Sequence, residues 1–425
     1  MEHYIKKTPL NQWHRDHKAN MAVFGGYGMP LWYPSGVKSE HCAAITHAGL
    51  FDTSHMAVIL VSGTGACALL QRCFTRDLNA CVGKDASPLF AGRCVYGIFL
   101  DAEGNTIDDA IVYRLSDDRF MIVVNAGMGA TIAAHLRTYT GDMKTDITDM
   151  TDRVGKCDLQ GPLAAKILSK VLAAPDAIFN QMPYFSFKGY FDAASALAET
   201  VKLADGTPLM LSRTGYTGEF GFELFTGPDA IVHVWEMLFE AGRDMGLIPC
   251  GLAARDSLRA GAVLPLSHQD IGHWPFIHNP WTFALPWNRE KTGFTKTFAG
   301  AEALLKLKDA EITYPFVGSD LRKVSTHDKA AEVLYGNQVI GIVLTCATDM
   351  ATGMADGRIY SIASPDAPSG FIPGGLCCGF IKVTRKLTPG DTVVLKDARR
   401  SIKVTITGDI RPHRTARNPL RQMID

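Results

Sequence analysis

Two neighbouring carboxylates, Asp108 and Asp109, stand just ahead of the β-rich run Ile111-Val112-Tyr113. A sheltered carboxylate can hold developing positive charge or exchange a proton. In an extended segment successive side chains point to opposite faces, so only one of the pair can face a given cavity. Taken alone, the pair reads rather as the solvated end of a strand with a turn. Another acid, Glu223, closes the run Arg213-Thr214-Gly215-Tyr216-Thr217-Gly218-Glu219-Phe220-Gly221-Phe222. Glycines at that density suit main chain that takes positive φ or passes close to a bound molecule. Arg255 carries a planar fork made for a carboxylate, either a ligand's or that of an internal acid such as Asp256. His268, His273 and Trp281 follow in one stretch, as histidine acid/base chemistry or as loop packing.

Several elements must position these groups. Ile111 to Tyr113 and Phe120 to Val124, with Ser116-Asp117-Asp118 between them, predict a hairpin. Residues 162–172 predict a helix, with Pro162 at its first position and Leu163, Ile167 and Val171 on one face. A second helix is expected over 229–241, capped by Asp229 and striped by Ile231, Trp235 and Leu238. Beyond about residue 312 the pattern turns to short β-rich runs: Tyr314–Val317, Val339–Leu344, Phe380–Val383, Thr392–Leu395 and Ile402–Ile406. They predict an all-β domain, a barrel or jelly roll. Residues 346–378, dense in Gly, Pro, Ala and Ser, read as a long loop. The fold class is α+β, without the strand-helix alternation of a parallel sheet.

At 425 residues the chain is long enough for two or three domains. Lys plus Arg and Asp plus Glu each number 43, so no global basic excess points to nucleic acid. No apolar run is long enough to span a bilayer, and Met1 to Lys7 carries no secretory signal. Ten scattered cysteines without a C-x-x-C read as reduced thiols in a cytoplasmic protein. There is no P-loop, dinucleotide fingerprint, G-x-S-x-G elbow or zinc motif, so no metal site is expected.

Five separated segments resemble the aminomethyltransferase (glycine-cleavage T-protein) family. They are Gly49-Leu50-Phe51-Asp52-Thr53-Ser54-His55-Met56; Tyr96 with Asp108 to Tyr113 and Val123-Val124-Asn125-Ala126; Leu159-Gln160-Gly161-Pro162; Arg213 to Glu223; and Gly251 to Arg259. The resemblance implies three domains in a cloverleaf around a channel that holds tetrahydrofolate. Residues 1–50 with 150–300 would form the first, 51–149 the second, carrying the Asp108-Asp109 hairpin, and 301–425 the third.

The resemblance also assigns roles. Asp109 matches the catalytic aspartate beside folate N5 and N10, and Glu223 a glutamate on the pteridine amide edge. Tyr216 would lie against a ring of the cofactor. Met56, Tyr96, Asn125 and Tyr184 match channel positions, and Arg255 an arginine that meets the folate carboxylate or holds the wall. Departures cluster where the family meets its one-carbon donor: Tyr27 stands where Trp is common, and His268, His273 and Trp281 replace the usual pattern. The tail Arg411-Pro412-His413-Arg414 does not clearly reproduce the family's basic segment. The leading expectation is aminomethyl transfer from a lipoyl carrier protein, giving 5,10-methylenetetrahydrofolate and ammonia. A folate-dependent demethylase using a small methylated donor, giving 5-methyltetrahydrofolate, is the alternative. A non-enzymatic folate-binding protein ranks third, because its K-G-C-x-x-G-Q-E signature is absent.

Overall fold

The computed structural model describes residues 5–326 and 329–424. Met1 to Tyr4, part of the stretch read above for a secretory signal, lie outside them. The architecture is mixed α and β, built on three large sheets, with a small three-stranded sheet (Lys6–Lys7, Tyr27–Trp32, Asn20–Phe24) and a two-stranded one (Thr352–Ala355, Arg358–Ser361) beside them.

The first sheet has six strands in the order Phe187–Gly189, Met210–Ser212, Gly221–Thr226, Gly155–Gln160, Ala48–Asp52 and Leu247–Cys250. All neighbours are antiparallel except the last pair. Alternation gives this sheet two different faces. Leu50, Cys157, Leu159, Leu211, Phe222 and Leu224 pack against the helices Ala164–Ser169 and Ile231–Gly242. The opposite face carries Lys156, Asp158 and Glu223, all buried.

The second sheet is antiparallel, in the order Cys94–Leu100, Thr106–Ser116, Arg119–Val124, Ala57–Ser62 and Asp146–Asp149. The expected hairpin is there, turning at Asp117-Asp118. Ile122 and Val124 face the helices Ala66–Cys73 and Gly129–Thr138. Met121 and Val123 face Phe187, Met210 and Phe225 of the first sheet. Covered on both faces, the strand Arg119–Val124 is apolar almost throughout rather than alternating.

The third sheet is a closed six-stranded barrel, Ile312–Gly318, Leu376–Val383, Gln338–Asp349, Glu332–Tyr335, Thr392–Lys396 and Ser401–Ile406. Its interior is filled by Phe316, Val333, Val343, Ile381, Leu395 and Val404. The expected long loop is partly strand: Gln338–Asp349 runs into it, and Thr352–Ala355 pairs with Arg358–Ser361.

Two local expectations shift. The first helix is only Ala164–Ser169, with Pro162 outside it in a turn. The second, Ile231–Gly242, starts from Ala230 without a side-chain cap, so Asp229 does not cap it. Burial of Ile231, Val234, Trp235 and Leu238 holds this helix without that bond.

Candidate active site

The start of the strand Thr106–Ser116 places Asp108 and Asp109 beside Asn125 and Ser267. Their side chains leave the strand on opposite faces, yet one residue joins them. Asn125 Nδ2 donates to Asp108 Oδ1 at 2.7 Å and to Asp109 Oδ1 at 2.6 Å, and its backbone N–H donates to Asp108 Oδ2 at 3.0 Å. Tyr96 OH donates to Asp109 Oδ2 at 2.9 Å. Asp108 is fully buried, whereas Asp109 keeps partial access. Burial, with the Asp108 carboxylate alongside, pushes Asp109 up to about 7. Such a group changes protonation near neutrality.

Ser267 donates to Asp108 Oδ1 at 2.7 Å, and His268 Nε2 lies 3.5 Å from the same oxygen. The His268 backbone has φ of +65°, an uncommon value for a side chain of this size. The contact with Asp108 raises its imidazole pKa. His273 does not join this group: its side chain is 78% exposed, near Asp101. Trp281 is buried against Phe380 of the barrel and donates to Val263 O. Tyr27 is likewise elsewhere, donating to Asp152 at 2.5 Å and pushed up to about 12 by burial.

Glu223 lies on the six-stranded sheet, directly opposite Asp158 on the neighbouring strand. Lys156 Nζ bonds both carboxylates, Asp158 Oδ1 at 2.6 Å and Glu223 Oε1 at 3.1 Å. Glu223 Oε2 accepts Tyr113 OH at 3.1 Å and Thr214 OH at 2.6 Å. With three bonds accepted, one lone-pair direction on Oε1 is left for a ligand N–H. Arg255 pairs with the internal acid Asp158 at 2.7 Å and not with Asp256, which pairs with Arg259. Burial alone would raise Asp158, but Lys156 and Arg255 hold it down, to about 2. Tyr216 lies under the Arg255 guanidinium, 5.1 Å from the ring centre, and its hydroxyl donates to Pro265 O.

Met56 packs beside the apolar contact between the two sheets. Tyr184 sits further out, with Arg213 over its ring at 6.0 Å. Three groups here were not singled out in the sequence: Lys156, Asp158 and His55. Lys156 and Asp158 alternate with Cys157 and Leu159, a period-two polar row in an otherwise apolar strand, and that was the available signal. His55 is buried, its Nδ1 has no partner, and burial lowers it to about 4.

The glycines of the Arg213 run act in two ways. Gly218 has φ of +80°. Gly215 has ordinary φ, but a Cβ there would lie 2.1 Å from Gln160 Oε1. At 215 the constraint is close approach of the Gln160 side chain, which an added Cβ would displace, and not backbone freedom.

Residues 10–287 match the family described as the GCVT N-terminal domain, well over half of the chain. The chain belongs to the aminomethyltransferase (glycine-cleavage T-protein) family. An aminomethyltransferase of Symbiobacterium thermophilum is 35% identical over 81% of this chain and 86% of its own length. One from Halothermothrix orenii is 31% identical over 96% of this chain and 98% of its own. The crystal structure of glycine cleavage system aminomethyltransferase T from Bartonella henselae superposes with a TM-score of 0.73 at 27% identity, covering 95% of this chain and 97% of that one. This aminomethyltransferase-family chain is thus a transferase with the family's fold, barrel included. Among its described residues no helix is long and apolar enough to cross a membrane.

Proposed function

We propose that this chain transfers an aminomethyl group from a lipoyl carrier protein to tetrahydrofolate, yielding 5,10-methylenetetrahydrofolate and ammonia. The observation that carries the reading is the Asp109 carboxylate, fixed by Tyr96 and Asn125 and titrating near neutrality beside a second, buried acid.

The residues present fit a folate. The remaining lone pair of Glu223 Oε1 suits a ring N–H, and the unpaired His55 Nδ1 is a buried polar atom without a partner in the protein. Tyr216, Met56 and Tyr184 supply aromatic and thioether surface for flat rings. When bound, tetrahydrofolate supplies two nitrogens that capture the one-carbon unit. Asp109, ionised, stabilises positive charge at the reacting centre, and electrostatic stabilisation of that kind is worth most where water is excluded. Asn125 and Tyr96 hold its carboxylate in one orientation. Arg255 is committed to Asp158 and so acts through the wall it anchors. Overall, two folate N–H protons leave, one with ammonia and one with the released carrier thiol, so charge and atoms balance.

The test is the identity of the folate product by mass spectrometry. Protein and tetrahydrofolate would be incubated with an aminomethylated lipoyl carrier, and separately with methylated small molecules, with Asp109→Ala as control. Methylenetetrahydrofolate and ammonia from the carrier alone are expected. Methyltetrahydrofolate from a small donor would overturn the donor assignment and leave the folate assignment standing.

A further inference from the structure

Two thiols meet inside the barrel, on neighbouring strands. Cys346 lies on Gln338–Asp349, directly opposite Gly379, and Cys377 lies on Leu376–Val383, opposite Thr348. Side chains alternate along each strand, so Cys346 and Cys377 share the inner face while Ala347 and Cys378 share the outer one. Gly379 offers Cys346 no side chain to meet across the pair, and the thiol turns instead to its diagonal neighbour: the Cys346 and Cys377 thiols hydrogen-bond each other. Gly318 stands on the other side of Cys377, where an added Cβ would lie 2.4 Å from Cys377 Sγ. Glycine on both flanks leaves the space that the two sulfurs fill.

The two thiols are unlike. Cys377 is buried, whereas Cys346 keeps partial access to solvent. The bond from Cys377, the backbone N–H of Val324 and the nearby Lys323 ammonium hold the Cys346 thiol below its usual value, against the effect of burial. Every other cysteine of the chain is pushed up, by burial in all but Cys377, where the bond to Cys346 leads. The thiol that ionises most readily is thus one that solvent reaches, and a protonated thiol touches it. Its neighbour in sequence, Thr345, leads to the candidate site. Thr345 Oγ1 donates to Asp270 Oδ1 at 2.6 Å and accepts from Gln269 Nε2 at 2.8 Å and Arg259 Nη2 at 3.1 Å. Ser267 of the same segment bonds Asp108.

We propose that Cys346 and Cys377 are a reversible oxidation site, at which a hydroperoxide converts the thiol pair into a disulfide. The Cys346 sulfur attacks one oxygen of hydrogen peroxide and the O–O bond breaks. The sulfur keeps that oxygen as a sulfenic acid, and the other leaves as water with the thiol's proton. The Cys377 sulfur then forms the S–S bond, and the sulfenic oxygen departs as a second water with the Cys377 proton. Two thiols are oxidised, one peroxide is reduced and two waters form. Diagonal positions on a sheet lie about 7–8 Å apart, whereas a disulfide spans about 4.4–6.8 Å between Cα atoms, so the bond draws the two strands together by about an ångström. A bond closed under that strain is readily reduced by a small thiol. The same displacement reaches Thr345 and, through Asp270, the segment that touches Asp108. No bound folate is needed for either step.

The reduced full chain would be treated with a small excess of hydrogen peroxide, its remaining thiols alkylated, and its tryptic peptides sequenced by mass spectrometry without reduction. Two peptides joined through Cys346 and Cys377 are expected, with two fewer alkylated thiols than the ten of the untreated chain and full reversal by dithiothreitol. Cys378→Ser, a change on the opposite face, should keep the link. Cys377→Ala should lose it and leave Cys346 as a sulfenic acid that dimedone traps. Amide hydrogen exchange over residues 265–271 should quicken on oxidation of the wild type and stay unchanged in Cys377→Ala. A wild-type chain that yields no joined peptide, with Cys346 either untouched or halted at the sulfenic acid, overturns the proposal. A joined peptide with unaltered exchange over 265–271 overturns the transmission towards Asp108 and leaves the oxidation site standing.

Discussion

Asp158 and Glu223 face each other across two paired strands, both buried, with a single ammonium, that of Lys156, bonded to both. Two carboxylates placed so repel each other unless a cation lies between them. Arg255 supplies the second positive charge from the helix Leu252–Gly261. The positions of Glu223 and Arg255 are consequently one electrostatic unit, although 31 residues of sequence lie between them.

Replacing Lys156 by Met should destabilise the protein by about 3–5 kcal/mol, the usual cost of removing one partner from a buried ion pair. Denaturant unfolding reads this. The pH dependence follows from Asp158, whose pKa is held near 2 when folded. A depressed carboxyl contributes stability above its unfolded value, near 3.9, and loses it as pH falls through the folded value. Wild type should lose stability between about pH 4 and 2 more steeply than Asp158→Asn. Parallel acid profiles for the two proteins would refute this account.

Asp109 titrates in the opposite sense. Its folded pKa, about 7, lies above the unfolded value, so between the two the native state holds a proton the unfolded chain has released. Stability therefore falls as pH rises through that window, and the loss is complete above about 7. Asp109→Asn should melt about 1–3 °C higher than wild type at pH 8 and equally at pH 4, while kcat drops by about 10²–10⁴. Wild-type kcat should rise with pH through about 7, as the ionised form is the active one. A variant that melts lower at pH 8 would show that the carboxylate is not strained by its setting.

Arg411 ties the barrel to the rest of the molecule. It is 1% exposed and reaches Asp349 Oδ2 at 2.6 Å, Glu219 Oε1 at 3.0 Å and the carbonyls of Leu258 and Thr217. His41 and Ser257 extend the same network through Asp349. Arg411→Met removes the guanidinium shared by two buried carboxylates and should cost about 3–5 kcal/mol. Hydrogen exchange should quicken first in Gln338–Asp349, which carries Asp349; uniform quickening across all three sheets would count against a local tie.

Gly215→Ala tests the close approach beside Glu223. The new methyl meets Gln160, whose Nε2 bonds Thr214 O and Phe222 O, both adjacent to the candidate site. Displacing Gln160 should raise KM for tetrahydrofolate about tenfold with kcat little changed, since Asp109 is not touched. An unchanged KM would place this turn outside the folate contact.

The barrel strands, the hairpin under Asp109 and the apolar stripe of Ile231–Gly242 follow from local pattern, because alternation, helical spacing and turn residues act over a few positions. The family is legible for the same reason: its motifs are contiguous. Asp229 misleads, because burial of the stripe supersedes the cap. Residues 346–378 mislead, because a strand that completes a barrel draws its partners from distant positions. Length, charge balance and the α+β class were thus contained in the sequence itself, whereas Lys156 and Asp158 joined the candidate groups, and Tyr27, His273 and Trp281 left them, only in the folded chain. Tertiary structure alone decided which cations meet which acids. Lys156 between Asp158 and Glu223, Asn125 across Asp108 and Asp109, and Arg411 beneath the barrel all depend on side chains brought together over long stretches of chain. Electrostatic pairing acts through space, and no spacing along the sequence encodes it.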